Sequence, residues 1–170
     1  KVIAGIYDIN SGNISYDDIN TKYYMKWAHR NVVYISTDER NLFYKNSVYD
    51  NILYFALLKG VNKSNARVQI EKYLKVLDFE RLKNRRVEEL STGQKKIVKI
   101  LCGFCNDCHF VLFDEPTLGL DREHIELFYR GLNLLSQERK IIIVSHDDVF
   151  IDNLTSKCIG FSERNTFSIT

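Results

Sequence analysis

The chain has almost no proline and almost no net charge, and each shortage narrows what it can be. One proline and eight glycines in 170 residues leave no proline-rich or low-complexity segment, and no internal repeat stands out. Lys and Arg number 24 against 22 Asp and Glu, a formal charge of +2. That balance provides no basic footprint, so no nucleic-acid partner is expected. No apolar run is long enough to cross a bilayer. Any tie to a membrane would pass through a partner that spans it. Four cysteines are too few for a disulfide scaffold and fit a reducing, cytosolic compartment. Against these shortages, 45% of residues are hydrophobic and 27% charged, enough for one compact domain with a real core.

Lys1-Val2-Ile3-Ala4-Gly5 reads as the tail of a helix stopped by Gly5, so chain is expected upstream of Lys1. Ser11-Gly12 marks a turn and Asn13–Tyr16 a short strand. Val32-Val33-Tyr34-Ile35 is a buried-strand run. From Ser47 the pattern turns helical. Ser47 is placed to cap a helix with Asp50 three residues on, and Ile52, Leu53, Phe55, Ala56 and Leu57 fall on one broad face. A second helix runs from about Ser64, with Val68, Tyr73, Leu74 and Leu77 as its apolar positions. From Ser91 the order becomes helix, strand, helix, strand. The first helix carries Ile97, Leu101, Phe104 and Cys105, and Phe110–Phe113 is a strand. Arg122–Leu135 is a helix, and Ile141–Val144 is a strand ending at Ser145-His146. Two uniformly apolar strands separated by a helix imply a parallel sheet covered on both faces. Residues 157–170 read as a hairpin turning near Arg164-Asn165.

The chemistry gathers at the carboxyl ends of those strands, where ligands sit in such sheets. Phe110-Val111-Leu112-Phe113 ends in Asp114-Glu115, an acid pair delivered to a sheet edge. Asp114 is suited to hold magnesium directly or through water. Glu115, one residue outside the strand, can aim at an attacking water as general base. His146 ends the neighbouring strand, within range of a terminal phosphate. Ser91 and Gly93 stand at a helix start, where unpaired N–H groups and the dipole favour an anion.

Leu90-Ser91-Thr92-Gly93-Gln94 resembles the Leu-Ser-Gly-Gly-Gln signature of ATP-binding cassette (ABC) ATPases, with Thr92 in place of the first Gly. Residues 110–116 resemble the Walker B strand with its catalytic Glu. Leu118-Gly119-Leu120-Asp121 is similar to the D-loop, and His146 to the switch histidine. Order and spacing also match, and four motifs in order are far more specific than any one. The resemblance implies an α/β fold of the P-loop NTPase, ABC-type class, with a mostly parallel sheet and a small helical subdomain. Residues 1–44 would be a core remnant, 45–89 the helical subdomain, and 90–170 the core with signature, Walker B, D-loop and switch histidine.

By that resemblance ATP and Mg2+ are the cofactors. Glu115 and His146 would be catalytic. Ser91, Thr92, Gly93, Gln94 and Asp121 would contact nucleotide across a head-to-tail dimer, and Asp114 with Asp38 would serve the metal. A second ABC domain and a transmembrane permease would be the partners, at the cytoplasmic face of the membrane.

Two departures stand out. No Gly-x-x-x-x-Gly-Lys-Ser/Thr loop, the phosphate cradle of this fold, occurs in these residues. Lys1 aligns where the Walker A helix would end, so truncation is expected, and the chain alone should bind ATP poorly. The segment after Ile35 reads Ser36-Thr37-Asp38-Glu39-Arg40, with no glutamine at the Q-loop. Asp38 aligns best and Thr37 nearly as well. The leading function is an ATP-hydrolysing subunit of a membrane transporter. A soluble ABC ATPase acting on ribosomes or nucleic acid, and a non-catalytic regulatory cassette, remain open as alternatives. Cys102, Cys105 and Cys108 have the spacing of three cluster ligands, but plain packing is the better reading.

Overall fold

Three five-residue strands lie side by side and parallel, in the order β1 (Val32–Ser36), β2 (Phe110–Asp114), β3 (Lys140–Val144). The register sets Ser36 beside Asp114 and Asp114 beside Val144, so all three strands finish on one line. This computed structural model describes residues 1–17, 21–36, 41–154, 159–161 and 167–169.

Helices cover both faces, as apolar parallel strands require. On one face α4 (Thr92–Phe104) and α5 (Arg122–Leu135) pack on the sheet and on each other. Ile97, Leu101, Phe104 and Cys105 are buried, as is Phe128 of α5. Each such side chain withdrawn from water contributes about 2 kcal/mol. On the other face α1 (Thr21–Asn31) lays Tyr24 and Ala28 against Val32 and Leu112.

α2 (Val48–Leu58) and α3 (Lys63–Val76) join the α4 side. One apolar cluster runs from Ile52, Ile70 and Leu74 through Ile97 and Leu101 to Val111 and Phe113. Ser47 caps α2 as expected, its hydroxyl accepting from the Asp50 amide at 3.0 Å. Two short 3-10 turns, 80–82 and 87–89, lead the chain to the signature. A short α6 (Asp148–Asp152) follows β3, and β4 (Ile159–Phe161) pairs antiparallel with β5 (Phe167–Ile169). The hairpin is therefore present, while its turn near Arg164-Asn165 lies outside the described residues.

The opening residues close as a helix end does. The Gly5 amide donates to Val2 O at 2.9 Å and the Ile6 amide to Lys1 O at 3.0 Å. Gly5 itself sits at φ +68. That pair of bonds around a left-handed residue is the Schellman arrangement.

Several expectations are corrected. Residues 13–16 form no strand beyond a single bridge at Tyr16; Tyr16 instead stacks on Trp27 with ring centroids 4.7 Å apart. Leu57 is 42% and Val68 66% exposed. The buried positions of α3 are Ala66, Ile70, Tyr73 and Leu74, a three-and-four spacing that leaves Val68 on the opposite side. The packing expected of Cys102, Cys105 and Cys108 is, by contrast, what the structure shows: all three are free thiols buried in the core. No group of three or more His, Cys, Asp or Glu able to hold a metal occurs among the described residues.

Candidate nucleotide site at the carboxyl end of the sheet

Asp114 is the last residue of β2, and its carboxylate is not left to solvent. The Tyr34 hydroxyl, from the adjacent β1, donates to Asp114 Oδ2. Burial, and then this hydrogen bond, push the Tyr34 phenol up to about 12, so it stays a donor throughout the neutral range. Ser36 stands beside Asp114 in register. Lys99 of α4 reaches the Ser36 hydroxyl at 3.4 Å.

Glu115 breaks from the strand in a costly conformation. Its amide still donates to Val144 O at 2.8 Å, extending the ladder to β3. Its φ is +51, a left-handed backbone that costs a non-glycine residue about 1–2 kcal/mol. The turn aims the carboxylate at the end of β3. Ser145 Oγ donates to Glu115 Oε2 at 3.3 Å, and His146 Nε2 lies 3.6 Å from Glu115 Oε1. Glu115 Oε1 is buried and has no hydrogen-bond partner. The His146 side chain, by contrast, is 95% exposed. An orphaned acceptor roofed by an open histidine is a place for a water or a ligand oxygen, since a buried polar atom left unpaired costs about 1–3 kcal/mol.

Ser91 and Gln94 are engaged with each other. The Gln94 amide donates to Ser91 Oγ at 3.2 Å, and the Ser91 amide donates to Gln94 Oε1 at 3.1 Å, a complete capping box. What the helix start still offers an anion is the amides of Thr92 and Gly93, which have no acceptor within the helix, and the Ser91 hydroxyl proton.

The D-loop ties the two regions together. The Leu118 amide donates to Glu115 O at 3.2 Å, and the Leu120 amide to Thr117 O at 2.9 Å. Asp121 caps α5, accepting from the His124 amide at 2.9 Å. Lys96, which as a sequence position reads as a solvated helix face, donates to Leu118 O at 2.5 Å. Lys95 lies over the Tyr44 ring at 5.2 Å.

Of the expected site residues, the structure therefore brings Asp114, Glu115 and His146 together at one sheet edge. It joins Ser91, Thr92, Gly93 and Gln94 in one helix start, with Asp121 on the loop between. Asp38, and Thr37 as its alternative, lie outside the described residues. Sequence reasoning missed Tyr34, Lys96, His124 and Ser145 as site neighbours. A tyrosine two residues before the end of a strand adjoining the acid strand was the available signal for Tyr34. A divalent cation fits in part. Asp114 and the Ser36 hydroxyl form no protein cage, but magnesium is commonly held by one or two carboxylates together with substrate phosphates.

Comparison with known proteins agrees. A family model described as "ABC transporter" matches residues 1–118. A putative ABC transporter ATP-binding protein of Clostridium tetani is 28% identical over 88% of this chain and 34% of its own length. The ABC transporter ATP-binding protein NatA of Bacillus subtilis is 28% identical over 85% of this chain and 59% of its own. The solved cbiO1 of Clostridium perfringens, part of the ABC transporter complex cbiONQ, superimposes with TM-score 0.70 and 26% identity. That superposition covers 85% of this chain and 60% of cbiO1. The chain thus spans between a third and three fifths of the length of these relatives. A family match running over residues 1–118 of 170 takes in most of the molecule, and with the sheet order and the motif placement it establishes that this chain belongs to the ABC transporter family of ATP-binding proteins.

Proposed function

We propose that this chain forms part of an ATP-hydrolysing subunit that powers a membrane transporter. The observation that carries the reading is the buried, unpartnered Glu115 Oε1 facing His146 at 3.6 Å. In the proposed cycle Glu115 accepts a proton from a water and thereby directs it at the terminal phosphate. His146, exposed beside it, hydrogen-bonds that phosphate. Asp114, which accepts from Tyr34, would hold the magnesium that accompanies the nucleotide. Magnesium supplies compensation for charge growing on the phosphoryl oxygens.

Ser91, Thr92, Gly93, Gln94 and Asp121 serve the nucleotide of a second ABC domain placed head to tail. The apolar side chains left exposed around the acid pair support such closure: Leu118 is 60%, Val144 54% and Val149 73% exposed. No helix among the described residues is long and apolar enough to cross a membrane. Attachment to the cytoplasmic face would run through a permease. The exposed Phe43, Tyr54 and Leu58 on and beside α2 are the surface we assign to it.

The test is phosphate release from purified protein that carries a phosphate-binding loop together with these residues. Release that falls at least a hundredfold with Glu115→Gln, without loss of ATP binding, supports the reading. Release unaffected by that substitution removes Glu115 from the mechanism, and no release from the unsubstituted protein leaves a regulatory cassette.

A further inference from the structure

Gly93 has no backbone reason to be glycine, because it sits in an ordinary helical turn of α4. The reason is its neighbour. A Cβ at position 93 would lie 3.1 Å from both Cε1 and Nδ1 of His124 and 3.4 Å from its Cγ. The imidazole of α5 therefore occupies the space that a side chain on the signature would need.

The same ring holds the D-loop. His124 Nδ1 lies 2.7 Å from Asp121 Oδ1, which also accepts the His124 amide at 2.9 Å. A carboxylate can only accept, so Nδ1 carries the proton. The His124 side chain is only 14% exposed, whereas Asp121 is 64% exposed. The ring is thus fixed by packing on one side and by a charge-assisted bond on the other. Lys96 adds a second tie between the same two segments through Leu118 O.

We propose that His124 is a positioning residue that couples the signature to the D-loop. Its ring, wedged between Gly93 and Asp121, makes the two loops move as one body. Contact at the signature face is thereby passed to the loop that follows Glu115. This rests on the ATPase reading for its consequence, but not for its geometry.

The test has two arms. In the first, amide spectra of the full chain are compared with those of Asp121→Asn and His124→Ala. The Gly93 amide resonance is expected to shift not only in His124→Ala, where the ring itself is gone, but also in Asp121→Asn, where only the tie from the ring to the D-loop is weakened. An unmoved Gly93 amide overturns the coupling, whatever the protein hydrolyses. In the second arm, ATP turnover is measured in protein with its phosphate-binding loop. His124→Ala should lower kcat roughly tenfold with KM for ATP changed less than about twofold. His124→Asn, which restores an N–H donor to Asp121, should recover most of the loss. Gly93→Ala should be harmful with His124 in place and mild beside His124→Ala, because the space is then free. Equal harm in both backgrounds, or no rescue by Asn, contradicts the proposal. A wild-type protein with no turnover at all would sink the ATPase reading, and the first arm would still decide the coupling.

Discussion

The acid end of β2 and the signature end of α4 lie beside the same loop, yet they are finished in opposite ways. At the acid end Glu115 is held left-handed, one of its oxygens is buried without a partner, and the facing His146 is almost wholly exposed. At the signature end the polar pair and the glycine have local uses. Ser91 and Gln94 close a capping box, and Gly93 seats His124. The first region stores strain and unmet polar capacity; the second is satisfied within its own chain. Unfinished groups that the surrounding fold holds in place mark a site of chemistry. A satisfied helix start whose amides remain open is what the proposed docking of a second domain needs.

Substitutions can break that contrast. The largest effect is expected from Glu115→Gln, which keeps the shape and removes the base. Turnover should fall by about 10²–10⁴-fold while nucleotide binding persists, measured as phosphate release beside ATP affinity. A fall in binding instead would mean that Glu115 is a nucleotide contact.

The stability counterpart sharpens the comparison further, because the two ends should respond with opposite sign. Ser91→Ala removes a cap and should cost about 1 kcal/mol in chemical unfolding. Glu115→Gly relieves a left-handed backbone and a buried, unpaired oxygen, and should stabilise by up to about 1 kcal/mol while abolishing turnover. If both destabilise alike, the acid end is an ordinary structured turn.

A smaller effect is expected at alkaline pH. The Tyr34 phenol lies near 12 in the fold against an ordinary value of 10.0. The folded state therefore holds this proton more tightly. Its stabilising contribution is complete below pH 10 and is lost as pH climbs toward 12. Tyr24, Tyr73 and Tyr129 are also pushed upward by burial, so the loss is shared. Tyr34→Phe should make the decline in melting temperature over that window shallower. An identical slope would show that the hydroxyl does not hold Asp114 in solution.

The smallest effect concerns Asp121, whose carboxyl is held below its ordinary value of 3.8 first by the His124 amide and then by the His124 ring. The stability it lends is present above pH 3.8 and fades as the solution is acidified below it. Asp121→Asn should remove only that acid-limb contribution, read as melting temperature against pH.

Much of the frame was legible in the sequence because its signals were local. Asp121 ahead of an apolar helical repeat fixed the bounds of α5 at Arg122–Leu135. Apolar runs leading into Asp114-Glu115 and into Ser145-His146 placed these groups at strand ends. What escaped was decided by tertiary contact. α1 carries its buried face on Tyr24 and Ala28, with Lys22, Lys26, His29 and Arg30 set around them, a pattern too polar to stand out. Val68 looks like core by type but falls between Ala66 and Ile70 on the wrong side of α3. Tyr54, an aromatic inside the apolar run of α2, is 46% exposed and packs edge-on against Phe43 with centroids 4.8 Å apart. Tyr34, Lys96 and His124 gain their roles from partners on other elements, which no spacing rule reveals. β3 shows the same limit in reverse. Its run of isoleucines reads as fully buried, yet each is only half-buried, with β2 paired on one side.

The most direct test is a crystal structure of the Glu115→Gln protein, with its phosphate-binding loop, soaked with ATP and magnesium. A water is expected within about 2.6–3.2 Å of the residue-115 side chain, in line with a terminal phosphate that accepts a hydrogen bond from His146. A nucleotide seated away from the carboxyl ends of β2 and β3, or a residue-115 side chain turned from the phosphate, would contradict it.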